Sequence, residues 1–267
     1  MNKIVLLLLL VIHLSASIIE TPILTYDEDK KRATIGINMV DVGMSGFIVH
    51  YISADHSSIL KNVTVSAFDK ETKIATLKVS DYDGLRNNAL PSGKWKVKVG
   101  DKVVLAFGYT RALLIAPNEA IYHRITKSVQ TQWLHPDIYA TILSFRGHPT
   151  PLISDFKAMS IATSTGLIFI YINEKVYTLD AKSFTILSIS AAPLPQDSVV
   201  LPFYTRVAEI DANWWGEGSG ELLAYEPHYY ELLVKGNNKN KKLYNIIKSE
   251  DSQFHYLLDE FEIEDEK

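Results

Sequence analysis

The densest group of side chains able to do chemistry lies near the middle of the chain. It contains His123, His135 and His148 together with Asp137 and Asp155. Imidazole nitrogens and carboxylate oxygens are zinc ligands, so convergence of these side chains would create a metal-dependent enzyme site. Their spacing matches no standard ligand pattern, and a histidine next to a proline at a turn is more often a hydrogen-bonded structural residue. We therefore predict no metal and no cofactor.

The sequence lacks the motifs that mark common enzyme classes. There is no phosphate-binding Walker loop, no G-x-G-x-x-G, no G-x-S-x-G and no H-E-x-x-H. The cysteine count is zero, which excludes a thiol nucleophile and disulfide bonds. We predict that the protein is not an enzyme and that its stability comes from a buried core.

Two groups of side chains are candidates for binding rather than catalysis. Lys241 and Lys242 belong to a basic stretch at residues 239–248. Trp214 and Trp215 precede a glycine-rich loop, where they would contact a carbohydrate or a protein partner, or cap the core instead. We favour the core-capping interpretation of the tryptophan pair, although both groups remain candidate binding residues.

Composition and the first residues indicate the compartment. Residues 1–17 combine Lys3, an apolar run and small residues suited to cleavage, which is typical of a secretory signal peptide. No later stretch is long and apolar enough for a transmembrane helix. The net charge of −4 argues against nucleic-acid binding. We expect an exported protein in the periplasm or on the outer-membrane surface.

The positioning elements begin with a β-rich domain predicted at residues 33–110. Residues 18–32 end in a charged run and are predicted to form a solvated arm. Short β-branched and aromatic segments then follow one another at close spacing, which favours an antiparallel β-barrel-like or curled sheet. These segments are residues 34–40, 46–52, 57–68, 74–79 and 102–107.

A smaller α+β domain is predicted at residues 111–234, giving an α+β fold class. It opens with a buried strand at 111–116, and Asn118 is the expected N-cap of the helix that follows. Two proline-punctuated turns come next. A helix, a β-hairpin, a third strand and a short helix complete the domain, at residues 151–164, 167–179, 183–190 and 227–234.

The last segment, residues 235–267, is predicted to be a charged helical tail. Its first part is basic and its second part is acidic. Apolar residues from Tyr244 to Phe261 recur on one side, so part of this tail is expected to dock on the core. The final carboxylate-rich residues, 260–267, are expected to be solvated.

Several sequence blocks occur in order between residues 35 and 233 and together resemble the PgbA-type N-terminal domain family of epsilon-proteobacterial plasminogen-binding proteins. The blocks are VGMSG at 42–46, VGD at 99–101, RALLIAPN at 111–118, WLHPD at 133–137, GHPTPL at 147–152 and LPFYTRV at 201–207.

The resemblance implies a surface-associated, non-enzymatic protein that captures host plasminogen. Kringle modules bind an ammonium and a carboxylate together, and a terminal lysine offers both groups on one residue. Lys267 is the residue at that position, with Lys241 and Lys242 as a weaker internal site. The alternative is a periplasmic structural or assembly protein that binds another envelope protein, for which Trp214 and Trp215 are the candidate contacts.

Overall fold

The computed structural model describes residues 18–82, 84, 95–250 and 252–263. The predicted signal peptide at residues 1–17 and the candidate Lys267 lie outside these ranges. The structure confirms the α+β class: an antiparallel barrel is followed by a mixed sheet and by C-terminal helices.

Six strands form the barrel, and it is closed. The strand order is β1-β2-β5-β4-β3-β6, with β6 pairing to both β3 and β1. The strands are β1 (Ile19–Asp27), β2 (Arg32–Gly36), β3 (Ser45–Tyr51), β4 (Ser57–Asp69), β5 (Ile74–Asp81) and β6 (Lys102–Leu105).

The first strand corrects the prediction of a solvated arm. Strand β1 pairs with β6 from Ile19 to Pro22 and with β2 from Ile23 onward, so it is the strand that closes the barrel. The Ile23 side chain is fully buried. The charged run after β1 forms only the turn to β2, with Lys31 at φ 49°. The strand was missed because the charged turn beside it indicated a solvated segment and because β1 itself has few buried positions.

The second sheet has five strands in the order β11-β10-β9-β7-β8. Strand β7 pairs parallel with β8 and β9, and the remaining pairs are antiparallel. Helix α1 (Glu119–Ser128) connects β7 to β8. The strands are β7 (Arg111–Ile115), β8 (Gln132–Leu134), β9 (Leu167–Ile172), β10 (Lys175–Asp180) and β11 (Ile186–Ala191).

The central strands of the sheet are buried on both faces because the sheet lies between the barrel and the helices. Alternate residues of β7 face opposite sides: Ala112 and Leu114 join the apolar cluster shared with the barrel, whereas Leu113 and Ile115 join the cluster on the helical side. This explains the unbroken apolar sequence of β7, since neither face meets solvent.

Four further helices pack on or beside the sheet: α2 (Pro136–Arg146), α3 (Ile153–Thr163), α4 (Tyr225–Gly236) and α5 (Lys241–Ser249). A 3-10 helix, η1 (Ser252–Glu260), follows, and its Phe254 and Leu257 are buried in the helical-side cluster. The predicted docking of the apolar stripe is therefore confirmed. Within the described residues, no helix combines the length and apolar character needed to span a bilayer.

Helix α2 was not predicted: of the two turns expected at 135–137 and 147–149, the first is instead the start of this helix, whereas the second follows its end. Pro136 occupies the first helical turn, where its missing N–H costs no hydrogen bond. The Nδ1 atom of His135 accepts a hydrogen bond from the Asp137 backbone N–H at 3.2 Å and caps the helix. Gly147 ends it in the left-handed conformation, with φ 68°. A proline and a glycine that suggested turns thus mark the two ends of one helix.

Candidate functional site

The candidate lysines Lys241 and Lys242 occupy the first turn of α5, where both side chains are exposed. Asn240 caps this turn because its side-chain oxygen accepts a hydrogen bond from the Leu243 N–H at 3.0 Å. The buried Leu243 and Ile247 anchor the opposite face of the helix. The cap and these anchors fix the direction in which the two lysine stems leave the protein.

The dipole of α5 does not favour these two positive charges. The helix dipole favours acidic side chains in the first turn, yet α5 has none there and carries lysines instead. Each lysine at such a position weakens the helix by a few tenths of a kcal/mol. The Lys242 ammonium donates to the Ile189 carbonyl at 3.3 Å, an exposed contact that offsets this cost only in part.

A third lysine extends this surface and brings a carboxylate to it. Lys239 Nζ lies 3.4 Å from Glu262 Oε2, and both side chains are largely exposed. Lys239, Lys241, Lys242 and Glu262 therefore place ammonium groups and a carboxylate at one end of α5, an arrangement that we call the α5 lysine surface. It presents an ammonium and a carboxylate on neighbouring exposed side chains.

The candidate tryptophans lie on a different surface and point into solvent. Trp214 is 97% exposed and Trp215 is 82% exposed, so the favoured core-capping interpretation is wrong. The preceding Asn213 explains why, because its backbone N–H donates to the Gly147 carbonyl at 2.9 Å and its side-chain amide to the Arg146 carbonyl at 2.7 Å. This attachment holds the loop on the end of α2, away from the core.

The three histidines do not converge on one site, because each lies beside a different carboxylate. His123 Nε2 lies 3.4 Å from Glu119, and His135 Nδ1 lies 3.3 Å from Asp137. His148 Nδ1 lies 2.8 Å from Oδ1 of another acid, the fully buried carboxylate at position 155. Among the described residues, no group of three or more potential ligands is arranged to hold a metal ion.

The fully buried Asp155 has a structural role. One of its oxygens accepts hydrogen bonds from Arg146 and His148, and the other accepts the Leu152 backbone N–H at 2.7 Å. The carboxylate thereby joins the end of α2 to the start of α3. These three hydrogen bonds occupy most of the acceptor positions that a metal ion would need.

Sequence reasoning missed the exposed side of α2, because the helix itself was not predicted. Phe145 is 88% exposed on that side, and Glu209 and Asp211 lie beside it in a shallow groove. The one available signal was the acidic and aromatic composition of residues 209–215. That composition does not reveal that Phe145, far earlier in the chain, lies beside these residues.

Comparison with known proteins identifies the chain's relatives. Residues 18–233 match the family described as plasminogen-binding protein PgbA N-terminal. The plasminogen-binding protein PgbA of Helicobacter pylori strain J99 is 28% identical over 220 residues, covering 80% of this chain and 47% of the relative. The same protein from strain 26695 gives the same identity and coverage. The chain thus spans about half the length of these relatives, and no solved structure matches it.

Proposed function

The chain belongs to the PgbA N-terminal family, and on that basis we propose that it is an exported, non-enzymatic protein that captures host plasminogen through lysine side chains. The observation that carries the proposal is the family match, which extends across the barrel, the mixed sheet and most of α4. The relatives' printed name supplies the ligand. We place the protein at the cell surface or in the periplasm.

We propose the α5 lysine surface as one docking site for plasminogen. Kringle modules recognise an ammonium together with a carboxylate, and Lys239 with Glu262 presents such a pair beside Lys241 and Lys242. This surface begins after residue 233, where the family match ends. Lys267, the main candidate from the resemblance, is the other proposed site, so the test separates the two candidates from each other and from the body of the domain.

The test measures binding of the purified protein to immobilised plasminogen, with and without a free lysine analogue as competitor. One variant combines Lys241→Gln with Lys242→Gln, and the other lacks Lys267. The variant that alters the contacting lysines should bind plasminogen more weakly, by about ten-fold or more. The matched control is Lys70→Gln with Lys78→Gln, which removes two exposed lysines from the barrel.

Each outcome assigns the contact to one part of the chain. Loss in the α5 variant supports the α5 lysine surface, and loss on deletion of Lys267 supports that residue. Equal binding by all variants, unaffected by the lysine analogue, would assign the contact to the domain body without lysine dependence. Absence of binding by the unmodified protein would reject plasminogen capture by this chain.

The second candidate function is assembly with another envelope protein. It is favoured by the exposure of Trp214 and Trp215, since large exposed aromatic side chains mark protein interfaces. Cross-linking in the producing cells, followed by comparison with a Trp214→Ala and Trp215→Ala variant, tests this role. A cross-linked bacterial partner that disappears in the variant supports it, and an unchanged pattern rejects this surface.

A further inference from the structure

Helix α2 exposes an apolar stripe on its outer side. Ile138, Thr141 and Phe145 lie three and four residues apart, which places them on one helix face. Ile138 is 46% exposed and Phe145 is 88% exposed. The Phe145 ring is thus open to solvent beside Ile138, and burying it against a partner would be favourable.

A groove runs beside this stripe. Thr141, Ser144 and Phe145 form one wall, and Val207, Glu209 and Asp211 form the other. The groove has a volume of about 330 Å³, enough for one or two side chains. The carboxylates of Glu209 and Asp211 line it.

Hydrogen bonds from two backbone N–H groups fix the second wall, and the loop that carries Trp214 and Trp215 (the tryptophan loop), to α2. The Asp211 N–H donates to Ser144 Oγ at 3.1 Å, and the Asn213 N–H donates to the Gly147 carbonyl at 2.9 Å. These bonds place Trp214 and Trp215 at the same end of the helix as Phe145. Three exposed aromatic side chains and two acids are therefore held at one end of one helix.

The charge of this surface is uncompensated. Neither Glu209 nor Asp211 forms an ion pair with a residue that the structure describes. The nearby cations are engaged elsewhere, because Arg206 pairs with Asp137 at 2.7 Å and Arg146 pairs with buried Asp155. An acidic groove flanked by exposed aromatic rings is complementary to a positive charge carried on an apolar stem.

We propose that the groove lined by Phe145, Glu209 and Asp211, together with the exposed Trp214 and Trp215 on the adjoining loop, docks a lysine- or arginine-bearing segment of a protein partner. The aliphatic stem packs on the exposed rings, the cation lies over an aromatic face, and the carboxylates bind it with charge-assisted hydrogen bonds. This inference is independent of plasminogen capture and deepens the envelope-partner alternative by giving the chemistry of the partner.

Fluorescence anisotropy with labelled peptides tests the proposal on the full chain. The probes are an acetylated octapeptide of alternating glycine and lysine, its arginine counterpart and its glutamate counterpart. We expect the two basic peptides to bind and the acidic one not to bind. Binding should weaken at higher salt, since the partners are exposed charges.

Substitutions then locate the site. Glu209→Gln with Asp211→Asn, and separately Trp214→Ala with Trp215→Ala, should each weaken basic-peptide binding by about ten-fold. The matched control is Asp55→Asn with Glu71→Gln, which changes the net charge equally but alters exposed barrel residues. All of these side chains are exposed, so the fold should persist, and circular dichroism checks that it does.

Four results would overturn the proposal: no binding of the basic peptides, equal loss in the control, tryptophan-dependent binding of maltohexaose without peptide binding, or tryptophan-dependent self-association in sedimentation. Plasminogen capture is measured in parallel. The groove variants should retain it and the Lys241→Gln, Lys242→Gln variant should retain peptide binding, so failure of one proposal is distinguishable from failure of the other.

Discussion

Asp137 is a side chain that could take part in catalysis or bind a metal, but in this protein it has a structural role. Its Oδ1 accepts hydrogen bonds from Thr205 Oγ1 and the Arg206 N–H, each at 2.9 Å, and its Oδ2 accepts from Arg206 Nε at 2.8 Å. Partial desolvation raises the pKa of Asp137, but the bonds from Arg206 and Thr205 outweigh it and hold the pKa below its ordinary value. The carboxylate therefore anchors the 205–206 segment to α2.

His228 gives a pH-dependent prediction at the residue scale. Burial lowers its pKa below the ordinary value of 6.5, although its Nε2–H donates to the Pro151 carbonyl at 2.9 Å. The unfolded chain therefore takes up a proton near pH 6.5 that the folded chain resists. The resulting stability is present above that pH and is lost as the pH falls toward the folded pKa, by at most about 1.4 kcal/mol per pH unit.

We expect His228→Gln to reduce this acid-induced loss, because a neutral amide replaces the titrating ring. The measurement is urea unfolding at closely spaced pH values from neutral to acidic. His255→Gln, at an exposed position, is the matched control and should leave the profile unchanged. An unaltered pH profile in the His228→Gln variant would contradict the prediction.

At the scale of elements, the end of α2 depends on one glycine. Gly147 has φ 68° and ψ 35°, a left-handed conformation that costs other residues about 1–3 kcal/mol. A Cβ atom at this position would also overlap the Asn213 side chain. We expect Gly147→Ala to destabilise the protein by more than the conformational cost alone and to displace the tryptophan loop.

Gly100→Ala is the control for this prediction, since Gly100 has φ 94° but nothing within 4 Å of its added Cβ. Urea unfolding midpoints give the loss in free energy of unfolding for each glycine variant. Quenching of tryptophan fluorescence by acrylamide reports on the loop that carries Trp214 and Trp215. Asn213→Ala should partly rescue Gly147→Ala by removing the overlapping atoms. Equal losses at both glycines would show that the overlap has no energetic consequence.

The elements that sequence predicted correctly have local determinants. Asn118 caps α1 through the Ile121 N–H at 2.9 Å, and Asn173 and Glu174 form the predicted hairpin turn with positive φ values. Helix α2 was missed because its capping histidine and first-turn proline also fit a turn. Exposure of Trp214 was not predictable, because it depends on where a distant helix end holds the loop.

At the scale of the molecule, the barrel and the mixed sheet share one apolar cluster and one buried carboxylate. Asp180, at the end of β10, is fully buried. Its Oδ2 accepts hydrogen bonds from the Ser45 N–H at 3.0 Å, Ser45 Oγ at 2.6 Å and the Tyr109 hydroxyl at 2.8 Å. Ser45 begins β3 of the barrel, so this carboxylate joins the two units through a network that the sequence did not reveal.

Asp180→Asn tests whether this network makes the two units unfold together. An amide NH₂ that faces three hydrogen-bond donors leaves buried groups unsatisfied. We therefore expect the free energy of unfolding to fall by about 3 kcal/mol. Tyr109→Phe removes one donor and should cost about 1 kcal/mol. Because Trp95 reports on the barrel and Trp133 on the sheet, variants that lack Trp214 and Trp215 and keep only one of these two tryptophans follow the urea unfolding of each unit separately. Coincident transitions in the parent that separate in Asp180→Asn would establish the coupling, whereas coincident, unshifted transitions in both would contradict it.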